Sequence, residues 1–470
     1  MCRSMLSTVE VLRVRPSNAK NCSPDTISRN LAFEGPAPDP EAPHVIVVDQ
    51  HEQRALEAVD ADRAVALLFE LLAVPSISGS DAEIDIQHLL AKRMDQLGLQ
   101  VDLWPMNLPV LVQAPGYPGA ETVRSEAWGL VATGVGHPED EPQPAMILQG
   151  HVDVVPAGDR SRWRSDPFTP TAVGRRIHGR GACDMKAGVA ANLAAAAALA
   201  DAGIRTARPF ALHSVIGEED GGLGAFGTLA RGHTGSACII TEPTHGTLIT
   251  ANAGALTFTL EVPGRATHAS TAYAGSNAIT SYLPIHSALA ALQERRNRNV
   301  EPLMAEYPVA YPISVGRLRA GDWASSVPDL LVAQGRMGLR IEEDPAAARL
   351  ELEEAVGNAC AAASFLSRSP VRVTWSGGQF TGGHLRPGHP LRGLVRDAHA
   401  DIVAGPPLRE RGAPYGSDLR LYASEGIATL HYGPGEVHLA HGPEESVDVD
   451  EFLDVTRALV LMLLRACGTR

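Results

Sequence analysis

The sequence predicts an α/β protein with a smaller α+β unit inserted into it. Three observations carry this reading. Up to residue 253, short apolar runs alternate with helical stretches, the pattern of a largely parallel sheet flanked by helices. Between residues 254 and 378 the order becomes strand, helix, strand, strand, helix, strand, the split ferredoxin-like arrangement. After 379 the α/β pattern resumes. A chain of 470 residues exceeds what one core usually serves, which fits two domains.

Residues 1–55 are rich in Pro, Asn, Ser and Asp without lasting apolar periodicity, and are expected to be a disordered or loosely attached N-terminal extension. Residues 56–253 form the first segment of the larger domain. Within it, 62–72 and 81–97 have helical spacing, 145–151 is an apolar strand, and 185–200 is an Ala-rich helix able to pack closely on a sheet. The runs 210–216 and 237–241 are buried-strand candidates. In the insert, 254–378, strands are expected at 256–262, 313–318, 330–341 and 371–375, and helices at 277–295 and 345–365. Residues 379–470 complete the larger domain and end in a helix at 449–466.

A chain with 44% hydrophobic and 20% charged residues reads as an ordinary globular protein. The formal net charge of −14 argues against nucleic acid or an anionic membrane as main partner. The longest late apolar run, 458–464, is too short to span a bilayer, and charges at Glu10, Arg13 and Arg15 interrupt any N-terminal signal core. Six scattered cysteines without a CxxC pair indicate neither a disulfide framework nor a thiolate metal site, and fit a reducing cytoplasm.

Five polar clusters carry the chemistry. His151-Val152-Asp153 ends an apolar strand. Gly179 to Lys186, with Asp184, opens a helix. Gly217-Glu218-Glu219-Asp220 and Thr241-Glu242-Pro243 each follow a strand. The run from Tyr432 to Glu445 supplies His438 and His441. In open α/β sheets ligands bind where strands end. A histidine and several carboxylates meeting there repel one another unless a divalent cation joins them. Imidazole and carboxylate without thiolate suit a catalytic zinc, cobalt or manganese site.

Over residues 60–470 these clusters, in this order, resemble the zinc amidohydrolase family of acetylornithine deacetylase, succinyl-diaminopimelate desuccinylase, carboxypeptidase G and aminoacylase. The resemblance implies a phosphorylase/hydrolase-like mixed sheet flanked by helices, with the insert as lid and dimerisation domain. It implies two Zn²⁺ per chain, with Co²⁺ or Mn²⁺ as substitutes. His151 and Glu242 would bind one ion and Glu219 and His441 the other, with Asp184 bridging both and its bond to Met185 cis. Asp153 would hold the His151 ring, and Glu218 would be the general base. His268 resembles the insert histidine that stabilises the oxyanion, often across a dimer interface. Arg340 resembles the arginine that grips a substrate carboxylate, and Ser325 aligns with a substrate-binding Asn. The Asp often found two residues before that arginine is Gly338 here. His438 is read as a loop residue and Cys183 as a small buried one.

The expected function is metal-dependent hydrolysis of the amide bond of an N-acyl amino acid by a cytoplasmic homodimer. The alternatives on the same scaffold are a di-, amino- or carboxypeptidase G-like peptidase acting on short peptides, and a carbamoylase. A non-catalytic binding module is the alternative from another class.

Overall fold

A computed structural model of the chain describes residues 48–134 and 143–470. Most of the expected extension therefore lies outside the described residues. Its expected end at 55 moves earlier, because helix Gln50–Glu57 is packed against the larger domain. Asp49 and Glu52 form a capping box at its start, Ala55 is fully buried, and Glu52 pairs with Arg465 at 2.6 Å. The polar sequence of this helix conceals a buried face one residue in three or four wide.

Among the described residues the larger domain is built on a nine-stranded sheet. Its middle strands, Phe210–Val215, Met146–His151, Ala237–Ile240 and Ala428–His431, are mutually parallel and buried throughout, apart from partly covered Ala428. Such strands are covered on both faces, which is why they read as continuous apolar runs. Antiparallel strands extend the sheet on both sides: Trp128–Gly134 and Gln100–Pro105 on one, Thr247–Asn252 on the other. The sheet is therefore mixed, as the resemblance implied.

Helix Lys186–Asp201 is buried on almost every side and packs against helices Ala61–Leu72 and Val449–Cys467. Small side chains allow the close approach. A Cβ on Gly188 would stand 2.1 Å from the Thr241 carbonyl oxygen. Lys186, at the first turn, is itself buried, and its ammonium donates to the carbonyls of Leu71 and Val74, closing the C-terminal end of the neighbouring helix.

The insert has the expected order. Its sheet runs Ile313–Ala320, Leu330–Leu339, Gly254–Pro263, Arg372–Phe380, all antiparallel. Helices Ala278–Arg296 and Pro345–Ala362 complete it over a separate core that includes Leu256, Phe258, Ile285, Leu289 and Leu352. The last strand carries on to Phe380, two residues past the expected boundary. Among the described residues no helix is long and apolar enough to cross a membrane.

Gly188→Ala is expected to destabilise the fold by about 1–3 kcal/mol through overpacking against the Thr241 carbonyl. Equilibrium urea unfolding checks this, and an unchanged midpoint would show that the helix can move away without cost.

Candidate metal centre

The parallel strands deliver their ends to one edge, where the ionisable groups collect. His151 is the last residue of its strand and is 1% exposed. Its Nδ1 lies 2.9 Å from the main-chain oxygen of Asp153. A proton held on Nδ1 by that carbonyl leaves the Nε2 lone pair facing Asp184 at 3.2 Å and Glu242 at 3.7 Å. Asp184 precedes helix Lys186–Asp201, and its bond to Met185 is cis, as the resemblance implied. Its second oxygen lies 3.4 Å from His441 Nε2, which is also 3.0 Å from Glu219. Asp184 thus stands between a His151–Glu242 pair and a Glu219–His441 pair. Ligand atoms of His151, Glu218 and Glu242 also fall within 4.8 Å of one another, so Glu218 faces the same space.

Asp153 contacts more than the His151 ring. Its carboxylate is 3.6 Å from the His151 ring, but it accepts from the main-chain N–H groups of Glu218 and Glu219, both at 3.2 Å, and from Ser78 at 2.8 Å. It therefore orients the ring through its main chain and the Glu218–Glu219 turn through its side chain. Arg124 braces the other side of that turn. It donates to Asp220 at 2.7 Å and to Glu83 through two bonds of 2.8 Å, with all three side chains less than 5% exposed. Glu445 performs the same service for Asp184. It accepts from the N–H groups of Cys183 and Asp184 at 2.9 and 3.0 Å and pairs with buried Arg180, which also donates to the His441 carbonyl. His441 itself holds a left-handed φ of 61°, a conformation costing about 1–3 kcal/mol for a non-glycine residue.

Burial pushes the carboxyls of Glu218, Glu219 and Glu242 up, and neighbouring carboxylates push the same way. Hydrogen bonds to Asp184 and Glu219 push the His441 imidazole up to about 10. No Lys or Arg ion pair to Glu218, Glu219 or Glu242 occurs among the described residues. Two imidazoles and three or four carboxylates aimed at one space, the glutamates without a Lys or Arg ion pair among the described residues, are a donor set that fits divalent cations. Metal uptake there releases protons, because imidazole must be neutral and carboxyl ionised to ligate.

The cleft in front of these groups has a volume of about 320 Å³. Pro243, Phe380, Val437 and Ala440 supply its apolar surface, and Arg336, Tyr415 and Gly416 also line it. Arg336, rather than Arg340, lines the cleft. Odd-numbered Leu331, Ala333, Met337 and Leu339 are buried on one face of their strand, and Arg336 projects from the opposite face into the cleft. Arg340 lies just beyond the strand and does not line the cleft. Its guanidinium donates to the Arg296 carbonyl at 3.1 Å, and its N–H to Glu343. Gly338 is explained locally, since a Cβ there would come within 3.0 Å of the Tyr311 backbone. His268 and Ser325 lie side by side on the insert, joined by the bond from the Ala269 N–H to the Ser325 carbonyl, and neither lines the cleft. Cys183 is buried against the Glu436 carbonyl, and His438 sits in a short 3₁₀ turn.

The loop after strand Arg409–Ala413 escaped the sequence reading. Tyr415 and Gly416 come from it, followed by buried Asp418, which accepts from Gln149 at 3.0 Å. Its signal was the one used elsewhere, a polar stretch directly after a strand, but strand 409–413 is too polar to be recognised as one.

An α/β sheet whose strand ends gather imidazoles and carboxylates beneath an inserted domain defines a metal-dependent hydrolase of amide bonds. The chain belongs to peptidase family M20/M25/M40, whose profile matches residues 147–465. It is 28% identical over 423 residues to acetylornithine deacetylase of Edwardsiella ictaluri, covering 85% of this chain and 96% of that protein. It is 25% identical over 413 residues to N-formyl-4-amino-5-aminomethyl-2-methylpyrimidine deformylase of Bacillus subtilis, covering 82% and 90%. The fold is shared with human carnosine dipeptidase 1, with a TM-score of 0.69 at 13% identity, covering 90% of this chain and 100% of that one.

Glu445→Ala removes both the brace on Asp184 and the counter-charge of Arg180. Metal affinity is expected to fall about 10–100-fold, read by competition with a chromogenic chelator. Unchanged affinity would show that the Asp184 turn holds its shape unaided.

Proposed function

We propose that this enzyme hydrolyses the amide bond of an N-acyl amino acid, releasing a carboxylate and the free amino acid. The observation that carries the reading is Arg336, a guanidinium without an ion pair among the described residues, lining the same cleft as the candidate ligands. A planar guanidinium suits a carboxylate placed next to the scissile amide. Relatives named for deacetylation and deformylation support deacylation over the peptidase alternative. The filled ligand positions and Glu218 weigh against a non-catalytic binding module.

Two zinc ions, replaceable by cobalt or manganese, would be held by His151 with Glu242 and by Glu219 with His441, Asp184 serving both. When bound, they would polarise the amide carbonyl and acidify a water. Glu218, buried and facing the same space, takes the water's proton and passes it to the leaving amine nitrogen. Arg336 orients the substrate by its carboxylate. Phe380, Val437 and Ala440 offer apolar surface for the acyl or side-chain group. His268 lies outside the cleft, so it reaches a substrate only by movement of the insert or from a second copy.

A homodimer through the insert would supply the second route. Strand Ile313–Ala320 is an edge of its sheet, and Leu318 on it is exposed. Buried, unpaired Cys183, Cys238, Cys360 and Cys467 fit a cytoplasmic setting.

A panel of N-acetyl, N-formyl, N-succinyl and N-carbamoyl amino acids and dipeptides, assayed with Zn²⁺ or Co²⁺, tests the reading. Turnover of one acyl class is expected, with Glu218→Gln lowering kcat about 10²–10⁴-fold while metal content is kept. Turnover of dipeptides alone would transfer the assignment to a peptidase. Arg336→Met is expected to raise KM about 10–100-fold, as loss of a charged hydrogen bond does. An unchanged KM would remove Arg336 from carboxylate binding.

A further inference from the structure

One donor in the cleft has no role in this account. Tyr415 lines it together with Asp184, Glu218, Glu219 and Glu242, and its hydroxyl oxygen is buried without a hydrogen-bond partner. Buried polar groups are nearly always paired, so an unmatched hydroxyl on a residue that lines a cleft points to a partner that arrives there. Two other side-chain donors line this cleft. His441 is directed at Asp184 and Glu219, and Arg336 belongs to the insert's wall.

The position of the phenol is fixed by its neighbours. Strand Arg409–Ala413 leads in, paired to Thr247–Asn252. Gly416 packs so closely on Phe380 that a Cβ would come within 2.6 Å of it. Ser417 bonds His431 at 2.9 Å, Asp418 accepts from Gln149, and Arg420 donates to the carbonyls of Ser417 and Gly221, both at 2.6 Å. A donor held this firmly costs no reorganisation when charge develops on its acceptor. A phenol is protonated near neutral pH, so the hydroxyl acts as a donor.

We propose that the Tyr415 hydroxyl donates a hydrogen bond to the acyl carbonyl oxygen of the substrate and holds that oxygen as it becomes anionic during attack by water. The inference rests on the amide-hydrolase reading. It assigns to a residue of the catalytic domain itself a contact that needs neither insert movement nor a second subunit.

The test is Tyr415→Phe, which keeps the ring and removes a hydroxyl that bonds nothing in the free protein. Wild type and variant are compared on the best substrate of the acyl panel, with metal content measured by mass spectrometry. Inhibition is measured with a phosphonate analogue of the tetrahedral intermediate and with the product amino acid. The variant is expected to lose about 10²–10³-fold in kcat with KM within about threefold, to keep its metal, and to bind the phosphonate more weakly while binding product as before. A kcat within twofold of wild type overturns the proposal and leaves the hydrolase reading standing. Equal weakening of phosphonate and product, or loss of metal, overturns it in favour of a structural role. An inactive wild type overturns the hydrolase reading, and the proposal with it.

Discussion

Mutual repulsion among buried carboxylates governs this molecule's architecture. Glu218, Glu219, Glu242 and Asp184 are brought to one strand edge beside His151 and His441, with no Lys or Arg ion pair to the three glutamates among the described residues. Such a cluster persists only if the scaffold forces it together and a cation rewards the convergence. The scaffold does so with groups that bind no substrate. Asp153 fixes the Glu218–Glu219 turn, Arg124 ties Asp220 to Glu83, and the Arg180–Glu445 pair joins the Asp184 turn to the His441 loop. Each is buried and each bonds main chain or a second charge, so the loops keep their shape independently of the ligands they carry.

The insert contributes part of the cleft wall and none of the candidate metal ligands. Its strand Leu330–Leu339 turns Arg336 into the cleft, and Phe380, where the chain returns to the larger domain, lies beneath that guanidinium and over the one of Arg420. The cation–π contacts place Phe380 between a residue of each domain, so the wall of the cleft is shared by both. His268 and Ser325 remain on a different part of the insert.

The sequence made the ligand loops legible because each follows a strand whose apolar run is unmistakable. The same holds for the insert, where strand and helix periods alternate cleanly. Strands that carry glycine or polar residues were not legible. Gly129 and Gly134 in Trp128–Gly134 make room for the rings of Trp104 and Phe210, yet such glycines read as turns. Thr247–Asn252 buries threonine and asparagine, and Arg409–Ala413 is an outer strand with few apolar residues. Missing the last of these concealed Tyr415 and Asp418. Arg336 was passed over because the sequence alone does not show where strand Leu330–Leu339 ends or which of its faces meets the cleft.

The central claim is that this cluster is a dinuclear metal site, and anomalous diffraction from crystals grown with zinc tests it most directly. Two peaks are predicted, one flanked by His151, Asp184 and Glu242 and one by Asp184, Glu219 and His441. A single peak, or zinc bound away from these residues, would contradict the account.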